Sequence, residues 1–297
     1  MTPDATAGDV LRGGTLYVVS TPIGNLGDVT LRALEILRAV PLVACEDTRI
    51  TRRLLARYEI DVRLTSFHAR SPSNRLVTLI EHLRGGADLA LTTDAGTPAV
   101  SDPGEALVRA WADEGGRVVP IPGASAVLAA VAASGVAGPR WTFEGFLPRS
   151  GRERRERLSR LAADDRGAVV YEAPTRLLPT LRDLAATCGP ERPAAICREL
   201  TKLHEQIERG SLSELAAAVE AGRVPARGEL VIVVGESVVG QRLVARDEAG
   251  SAADAIAAAL ADIEALVATG AGRAAAVREV AARTGLPRRQ LYRVERG

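Results

Sequence analysis

Apolar residues along this chain come in two patterns that take turns. Compact runs such as LYVV from Leu16, LVAC from Leu42, LAL from Leu89 and VVPI from Val118 end at Gly, Pro, Ser or acidic residues, as buried strands do. Between them the apolar residues recur every three or four positions. Leu31, Leu34 and Leu37 do so before Pro41. Leu54 and Leu55 follow Thr48, the expected cap. Leu76, Leu79, Ile80 and Leu83 lie between Ser71-Pro72 and Gly85-Gly86. GEALVRAWADE follows Asp102 and Pro103, the expected N-cap and first helical residue, and AVLAAVAAS follows Ser125. These are helix spacings with helix start and stop residues. Strand and helix alternating in this way predict a parallel sheet with helices on both faces.

From Gly135 the pattern restarts. Val136 to Pro139 reads as a linker, Phe143 to Arg149 as an aromatic-bearing segment, and Ser150 to Arg157 as an exposed helix of Arg and Glu. Strands are expected at Ala168 to Tyr171, Ala195 to Arg198 and Leu230 to Val234. Helices are expected through Leu177, Leu181 and Leu184 and near Leu212 to Val219. That is a second α/β set. The tail adds an Ala-rich helix from Ser251 to Ala268 and, from Arg273, an apolar helix, a Thr-Gly-Leu-Pro turn and a basic helix, a helix-turn-helix-like order. The expected organisation is an N-terminal α/β domain at 14–134, a second at 135–240 and a small helical segment at 250–297, after a disordered lead of ten or so residues.

Composition adjusts this picture in three places. At 297 residues the chain is long enough for two domains and an appendage, and 46% hydrophobic against 25% charged residues is ordinary for a globular protein. Aromatics are only 3%, so the cores rest on Ala, Val, Leu and Ile. A net charge of +1 means that any nucleic acid is met by local basic patches, not by an overall field. Cys45, Cys188 and Cys197 suit neither a disulfide framework nor a zinc site, so no metal and a reducing cytoplasm are expected. No apolar run reaches about 18 residues and the opening has no export signal, so no membrane association is expected.

The candidate chemistry gathers where strands end. LALTTDAGTPAVSDPG, from Leu89, opens the backbone just past a strand's carboxyl end, where open α/β sheets bind ligands. STPIGNLGD after the first strand is a Gly-containing loop without the nicotinamide fingerprint, and PGAS at Pro122 to Ser125 offers a helix N-terminus to a ligand. Glu46, Asp47 and Arg49 close the second strand. Lys202 is the one lysine among 38 lysines and arginines, and an ammonium differs from a guanidinium in being a compact charge whose pKa shifts readily. Arg149, Arg152, Arg154 and Arg155 form a candidate phosphate patch, with Glu144 as a possible partner of nearby arginines. Arg283, Arg288, Arg289, Arg293 and Arg296 make the tail basic. His68, in a loop, is a better candidate than His82, on a helix.

The motifs STPIGNLGD, ACEDTR, TTDAGTPAVSDPG, PIPGASA, FEGFLPR, YEAPTR, RELTK and RGEL, in this order, resemble those of the tetrapyrrole methylase superfamily. Within it they resemble the ribosomal small subunit methyltransferase I family. The resemblance spans residues 14 to 240 and extends into the tail. It implies two α/β domains with S-adenosyl-L-methionine folded in the cleft between them, and 2′-O-methylation of a cytidine ribose in 16S rRNA of the small ribosomal subunit. It also implies a homodimer in the cytoplasm. Carried over, the cofactor contacts fall at Pro22, Ile23 and Gly24, at Asp94, Ala95, Gly96 and Thr97, at Gly123, Ala124 and Ser125, and at Tyr171, Leu200 and Gly228. Glu46, Asp47, Arg49 and Lys202 face the substrate. The chain departs from the family pattern at Thr175, where His is frequent, and at Ser71 to Asn74, where a His-Asn-Glu stretch is frequent.

A sulfonium methyl is already activated, so the protein's task is to align the acceptor oxygen and take up its proton. A carboxylate or a neutral lysine can do this, which leaves Glu46, Asp47 and Lys202 as unranked candidates. Two other readings stay open: a small-molecule, tetrapyrrole-type methylase, and a ligand-sensing regulator whose tail binds nucleic acid.

Overall fold

Each strand of the first sheet is four residues long and sided by alternation. These are β1 (Leu16–Val19), β2 (Leu42–Cys45), β3 (Arg63–Ser66), β4 (Leu89–Thr92) and β5 (Val118–Ile121). Leu16, Ala44, Leu89 and Leu91 face one side, and Val19, Val43, Cys45 and Ala90 face the other. Helices α1 (Leu31–Ala39) and α2 (Thr48–Arg57) cover the second side through Leu34, Leu37 and Leu55. Helices α3 (Ser73–Arg84) and α4 (Glu105–Asp113) cover the first through Leu79, Leu83, Leu107 and Trp111. All pairings are parallel, in the order β3-β2-β4-β1-β5, so every strand delivers its carboxyl end to the same edge. The coordinates are a computed structural model that describes residues 13–237 other than 103, and 256–291 other than 269, 285 and 287.

The second sheet is mixed, β6-β7-β10-β8-β9. Its strands are β6 (Trp141–Phe146), β7 (Gly167–Glu172), β8 (Pro193–Arg198), β9 (Gln206–Ser211) and β10 (Leu230–Val234). Only β6 and β7 are parallel. One face is covered by α6 (Gly151–Ala163), α7 (Leu177–Cys188) and α8 (Leu212–Glu220). The other receives α5 (Ala126–Ser134), which follows the first sheet in the chain: Val127 and Ala130, with Ile23, pack against Val169, Ala195, Cys197 and Val231. Burying a Val- or Ile-sized side chain is worth ~1.5–3 kcal/mol, so this cluster holds the two sheets together and leaves a cleft at its margin. Residues Met1–Glu236 thus form one compact unit.

Ser237–Gly297 form a second unit. In it α9 (256–268), α10 (Arg273–Thr284) and α11 (Arg288–Leu291) share Ala259, Ile263, Ala276, Val277, Val280 and Leu291 as core. The lead of ten residues, Ser251 to Ala255, Arg293, Arg296 and the side chain of Arg289 lie outside the described residues.

Several local expectations change. Segments 63–66, 141–146 and 206–211 are strands that the apolar pattern did not mark. Leu31 begins α1 but is 80% exposed, because Ala33 takes the inward position. The cap of α2 is Asp47, whose carboxylate accepts from the Arg49 amide, and Thr48 is the first helical residue. Helix α4 starts at Glu105 behind Gly104, not behind Asp102, and Pro103 lies outside the described residues. Gly104 sits at φ 127°, and a Cβ there would meet Leu91 Cδ2 at 2.7 Å, so the turn needs a glycine.

Candidate functional site

The margin between the sheets is a cleft of about 440 Å³. One wall is built by the loops that leave β1 and β4 and by the start of α5. The other is built by the ends of β6 and β7 and the approach to β10. The first wall is cross-tied: Thr21 and Gly96 exchange backbone hydrogen bonds of 2.8 and 3.0 Å, and the Ser20 and Thr97 hydroxyls lie 2.9 Å apart. Ala99 and Ser101 in the loop after β4, and Glu199 and Thr201 after β8, all have positive φ. Strain of this kind, about 1–3 kcal/mol for each residue, is borne by loops that flank the cleft.

Seven of the residues singled out above line the cleft: Ile23, Ala95, Gly96, Thr97, Ser125, Tyr171 and Gly228. The others stand behind it. Pro22 is buried in the β1 loop. Ala124 and Leu200 pack with Ile23 in the cluster that joins the sheets. Gly123 presses on Ser20, where a Cβ would come within 2.9 Å of the Ser20 Cβ. Gly24 lies under the stem of Lys202, and Asp94 turns its carboxylate to the Asp47 amide at 2.9 Å. On the far wall Tyr171 meets the Phe143 ring edge-on at 5.0 Å and Phe146 at 5.5 Å, and Phe146 stays 54% exposed.

Carboxylates crowd the carboxyl ends of β2 and β4. Glu46 Oε2 accepts from the Thr93 hydroxyl at 2.8 Å, and Asp47 is paired with Arg49. The hydrogen bonds from the Arg49 side chain and amide hold the Asp47 carboxyl down to about 2, so it is a poor proton acceptor at neutral pH. Burial raises Asp94, with help from Glu46 and Asp47 and against the Asp47 amide bond. Asp102 is not the cap of α4, which starts behind Gly104. Burial lifts its carboxyl to about 6, with the Glu46 charge adding to the shift. The signal was available in its position within the same loop as Asp94 to Thr97.

Lys202 corrects the idea of a neutral lysine. Its Nζ sits 2.9 Å from Glu199 Oε1 and 3.1 Å from Glu229 Oε2. Burial pulls its pKa down, but the two carboxylates outweigh burial and hold it above the ordinary value. It is a fixed ammonium, whose stem covers Gly24: a Cβ there would lie 2.4 Å from Lys202 Cγ. Glu46, Asp47, Arg49 and Lys202 are absent from the residues that line the cleft.

The arginine patch also divides. Arg154 is 8% exposed and donates to Asp183, Thr180 and the Pro148 carbonyl, so it is a structural cation. Arg152 pairs with Glu156 on the surface and Arg149, Arg155 and Arg160 are exposed. Glu144 takes Arg157 through its backbone carbonyl. Beneath the cleft, Glu172 is fully buried and accepts from Ala173, Arg176 and Thr180. His68 Nδ1 accepts from the Arg70 amide, and His82 is engaged with the Asp88 carbonyl. Among the described residues no His, Cys, Asp and Glu group is arranged to hold a metal, and no helix is long and apolar enough to cross a membrane.

Known proteins share this architecture. Residues 15–216 match the model of the tetrapyrrole (corrin/porphyrin) methylases. A cobalt precorrin-4 methyltransferase aligns with 74% of this chain and 94% of its own at a TM-score of 0.58 and 19% identity. Ribosomal RNA small subunit methyltransferase I of Synechocystis sp. is 43% identical over 281 residues, 95% of this chain and 97% of its own. The protein of the same name from Mesorhizobium japonicum is 49% identical over 220 residues, 74% of each chain. At this identity and coverage the chain belongs to the tetrapyrrole methylase family and, within it, to the ribosomal RNA small subunit methyltransferase I group.

Proposed function

We propose that this chain transfers a methyl group from S-adenosylmethionine to the ribose 2′-oxygen of a cytidine in 16S rRNA of the small ribosomal subunit, acting as a cytoplasmic homodimer. The observation that carries the reading is the convergence of Ile23, Ala95, Gly96, Thr97, Ser125, Tyr171 and Gly228 on one cleft. The name shared by relatives at 43 to 49% identity supplies the substrate class.

The cleft suits this cofactor in two respects. Small residues, Ala95, Gly96, Ala126 and Gly228, leave backbone groups accessible to a nucleoside and an amino-acid head, and Asp102 and Glu229 give a negative field to a cation. When bound, S-adenosylmethionine supplies a methyl group already activated as an electrophile. The chain's own residues then do the positioning. The Thr21–Gly96 tie fixes the first wall, Tyr171 and Phe146 bound the second, and the α5–sheet cluster holds the walls at a set distance. Glu46, Asp47, Arg49 and Lys202, outside the cleft lining, are assigned to the substrate by the family resemblance, Lys202 as a cation held by Glu199 and Glu229. Exposed arginines on α2 (Arg52, Arg53, Arg57) and α6 (Arg152, Arg155, Arg160) meet phosphates.

The test uses methyl-labelled S-adenosylmethionine and small subunits from cells that lack this protein. Label in 16S rRNA, and none in subunits from cells that contain the protein, is the expected result. Label in no RNA, with the cofactor bound, would contradict the reading and favour a small-molecule acceptor.

A further inference from the structure

Strand β6 carries one residue more than its partner can pair. Its register with β7 runs Phe143–Val169, then Gly145–Val170 and Phe146–Tyr171, so Glu144 is an extra residue. The Glu144 carbonyl accepts from Arg157 of α6. Gly145 takes φ 60° and lies so close to the loop after β4 that a Cβ would stand 3.0 Å from Ser101 Oγ. Side chains alternate along a strand, so in a regular strand positions 143 and 146 would lie on opposite faces. The extra residue brings both to the face of Tyr171, whose ring meets Phe143 at 5.0 Å and Phe146 at 5.5 Å. An irregularity of this kind re-aims a side chain at the cost of ladder pairing. Here it turns Phe146 away from the helix-covered face of the sheet and into the wall of the cleft.

Phe146 is nevertheless 54% exposed, and among the described residues it is the one exposed aromatic side chain. We propose that its ring stacks on a base of the RNA strand that enters the cleft. The assignment deepens the rRNA methylation reading above and rests on it. Three observations choose a base over other occupants. A ring held on one side by Tyr171 and open to solvent is a rigid platform, and unpaired bases are commonly held by stacking on such rings. The lining of the cleft includes Asp102, Glu172 and Glu229 and no lysine or arginine, so a phosphate is repelled there while an uncharged base is not. The cations follow Phe146 along the chain: Arg149, Arg152 and Arg155 are exposed and take phosphates outside the cleft. Val100, 42% exposed on the first wall, adds apolar surface to the same cleft. The cofactor carries an adenine of its own, so the test must separate the two bases.

The experiment is single-turnover methyl transfer by the full chain to small subunits from cells lacking the protein, at saturating S-adenosylmethionine. It is read beside calorimetric binding of S-adenosylhomocysteine and the thermal midpoint. Phe146→Ala and Phe146→Leu should each raise the subunit concentration needed for half saturation about tenfold, the effect of losing one stacked base. Phe146→Tyr and Phe146→Trp, which keep a ring, should stay within about twofold of wild type. The slope of subunit binding against salt should be the same in Phe146→Leu as in wild type, because the lost contact carries no charge. The rise in half saturation should exceed any weakening of S-adenosylhomocysteine binding at least about fivefold. Equal weakening of the two would assign the ring to the cofactor's adenine and overturn the proposal. So would wild-type half saturation in Phe146→Leu. Should Phe146→Ala fail to fold, the Leu and Tyr variants decide alone: equal half saturation in those two overturns the proposal. No RNA label from the wild type overturns the rRNA reading, whereas label with unaltered saturation in the variants overturns only the stacking.

Discussion

Replacing Glu172 with Gln tests whether the wall under the cleft is held by charge or only by packing. The Glu172 carboxylate is fully buried. It receives the Ala173 amide at 2.8 Å, Arg176 Nε at 3.0 Å, Arg176 Nη2 at 3.1 Å and the Thr180 hydroxyl at 2.5 Å. Thr180 has no freedom to turn away, because it also accepts from the buried Arg154. A Gln oxygen can keep the first two bonds, but its NH2 then faces the Arg176 guanidinium and the Thr180 hydroxyl. Two charge-assisted bonds at about 1.5–3 kcal/mol each are lost. Water reaching Arg176, which is 23% exposed, restores part of this, for a net loss of roughly 2–4 kcal/mol. In a unit of this size that lowers the thermal midpoint by roughly 5–15 °C. Differential scanning calorimetry on the full chain reads it, and calorimetric titration with S-adenosylhomocysteine should show weaker binding, since Glu172, Ala173 and Pro174 form part of the cleft wall. A midpoint within about 2 °C of wild type, with unchanged binding, would mean that the network adds nothing beyond packing.

Other substitutions separate structural from functional charges. Arg154→Leu should destabilise by about 1–3 kcal/mol, because the buried Thr180 loses its partner while the half-exposed Asp183 can take up water, whereas Arg155→Ala should leave the thermal midpoint unchanged and weaken the salt dependence of subunit binding. Gly228→Ala should cost about 1–3 kcal/mol, since Gly228 has φ 80° and a Cβ there would lie 2.5 Å from Glu199 Oε1, the carboxylate that holds Lys202; denaturation midpoints read it. Lys202 has its pKa raised in the fold, so its ion pairs stabilise the protein below the ordinary lysine pKa and are lost only as pH climbs through the raised value. Stability of the wild type minus that of Lys202→Met should therefore stay flat from pH 7 to pH 9 and shrink only above about pH 10. Asp47→Ala removes the cap of α2 and should lower the denaturation midpoint by the same assay.

The residues that could be read from sequence are those whose environment is local or fully buried. Strands β2, β4 and β10 are buried along their whole length and announce themselves as apolar runs. The three strands that the pattern missed, β3, β6 and β9, are all at sheet edges. There one side of the strand has no neighbour, and sequences such as RLTS and QIERGS carry polar residues that a central strand would exclude. The helix starts at Asp47 and Gly104 moved by one or two residues for a related reason, since a cap is decided by the local turn and not by the apolar stripe.

The site divides along the same line. The loops that follow strands could be placed in the cleft because their glycines and prolines fix where the backbone opens, and Gly96 and Gly228 do line it. Protonation states could not be placed. Lys202 stands out by its rarity, but its charge is set by Glu229, 27 positions away along the chain, and by Glu199. Asp102 looked like a cap because Ser-Asp-Pro-Gly is a good helix start, and only its place in the cleft wall sets it apart. Arg154 matched a phosphate patch in charge and spacing, yet it is buried and its partners Asp183 and Thr180 lie in another helix.

The proposed acceptor is a ribose 2′-oxygen. Its most direct test is alkaline hydrolysis of 16S rRNA labelled by the purified protein, followed by mapping of the labelled nucleotide. Label is expected at one cytidine within an alkali-resistant dinucleotide, because a methylated 2′-oxygen cannot attack the adjacent phosphate. Label released as an alkali-sensitive mononucleotide, with the methyl group on a base, would contradict it.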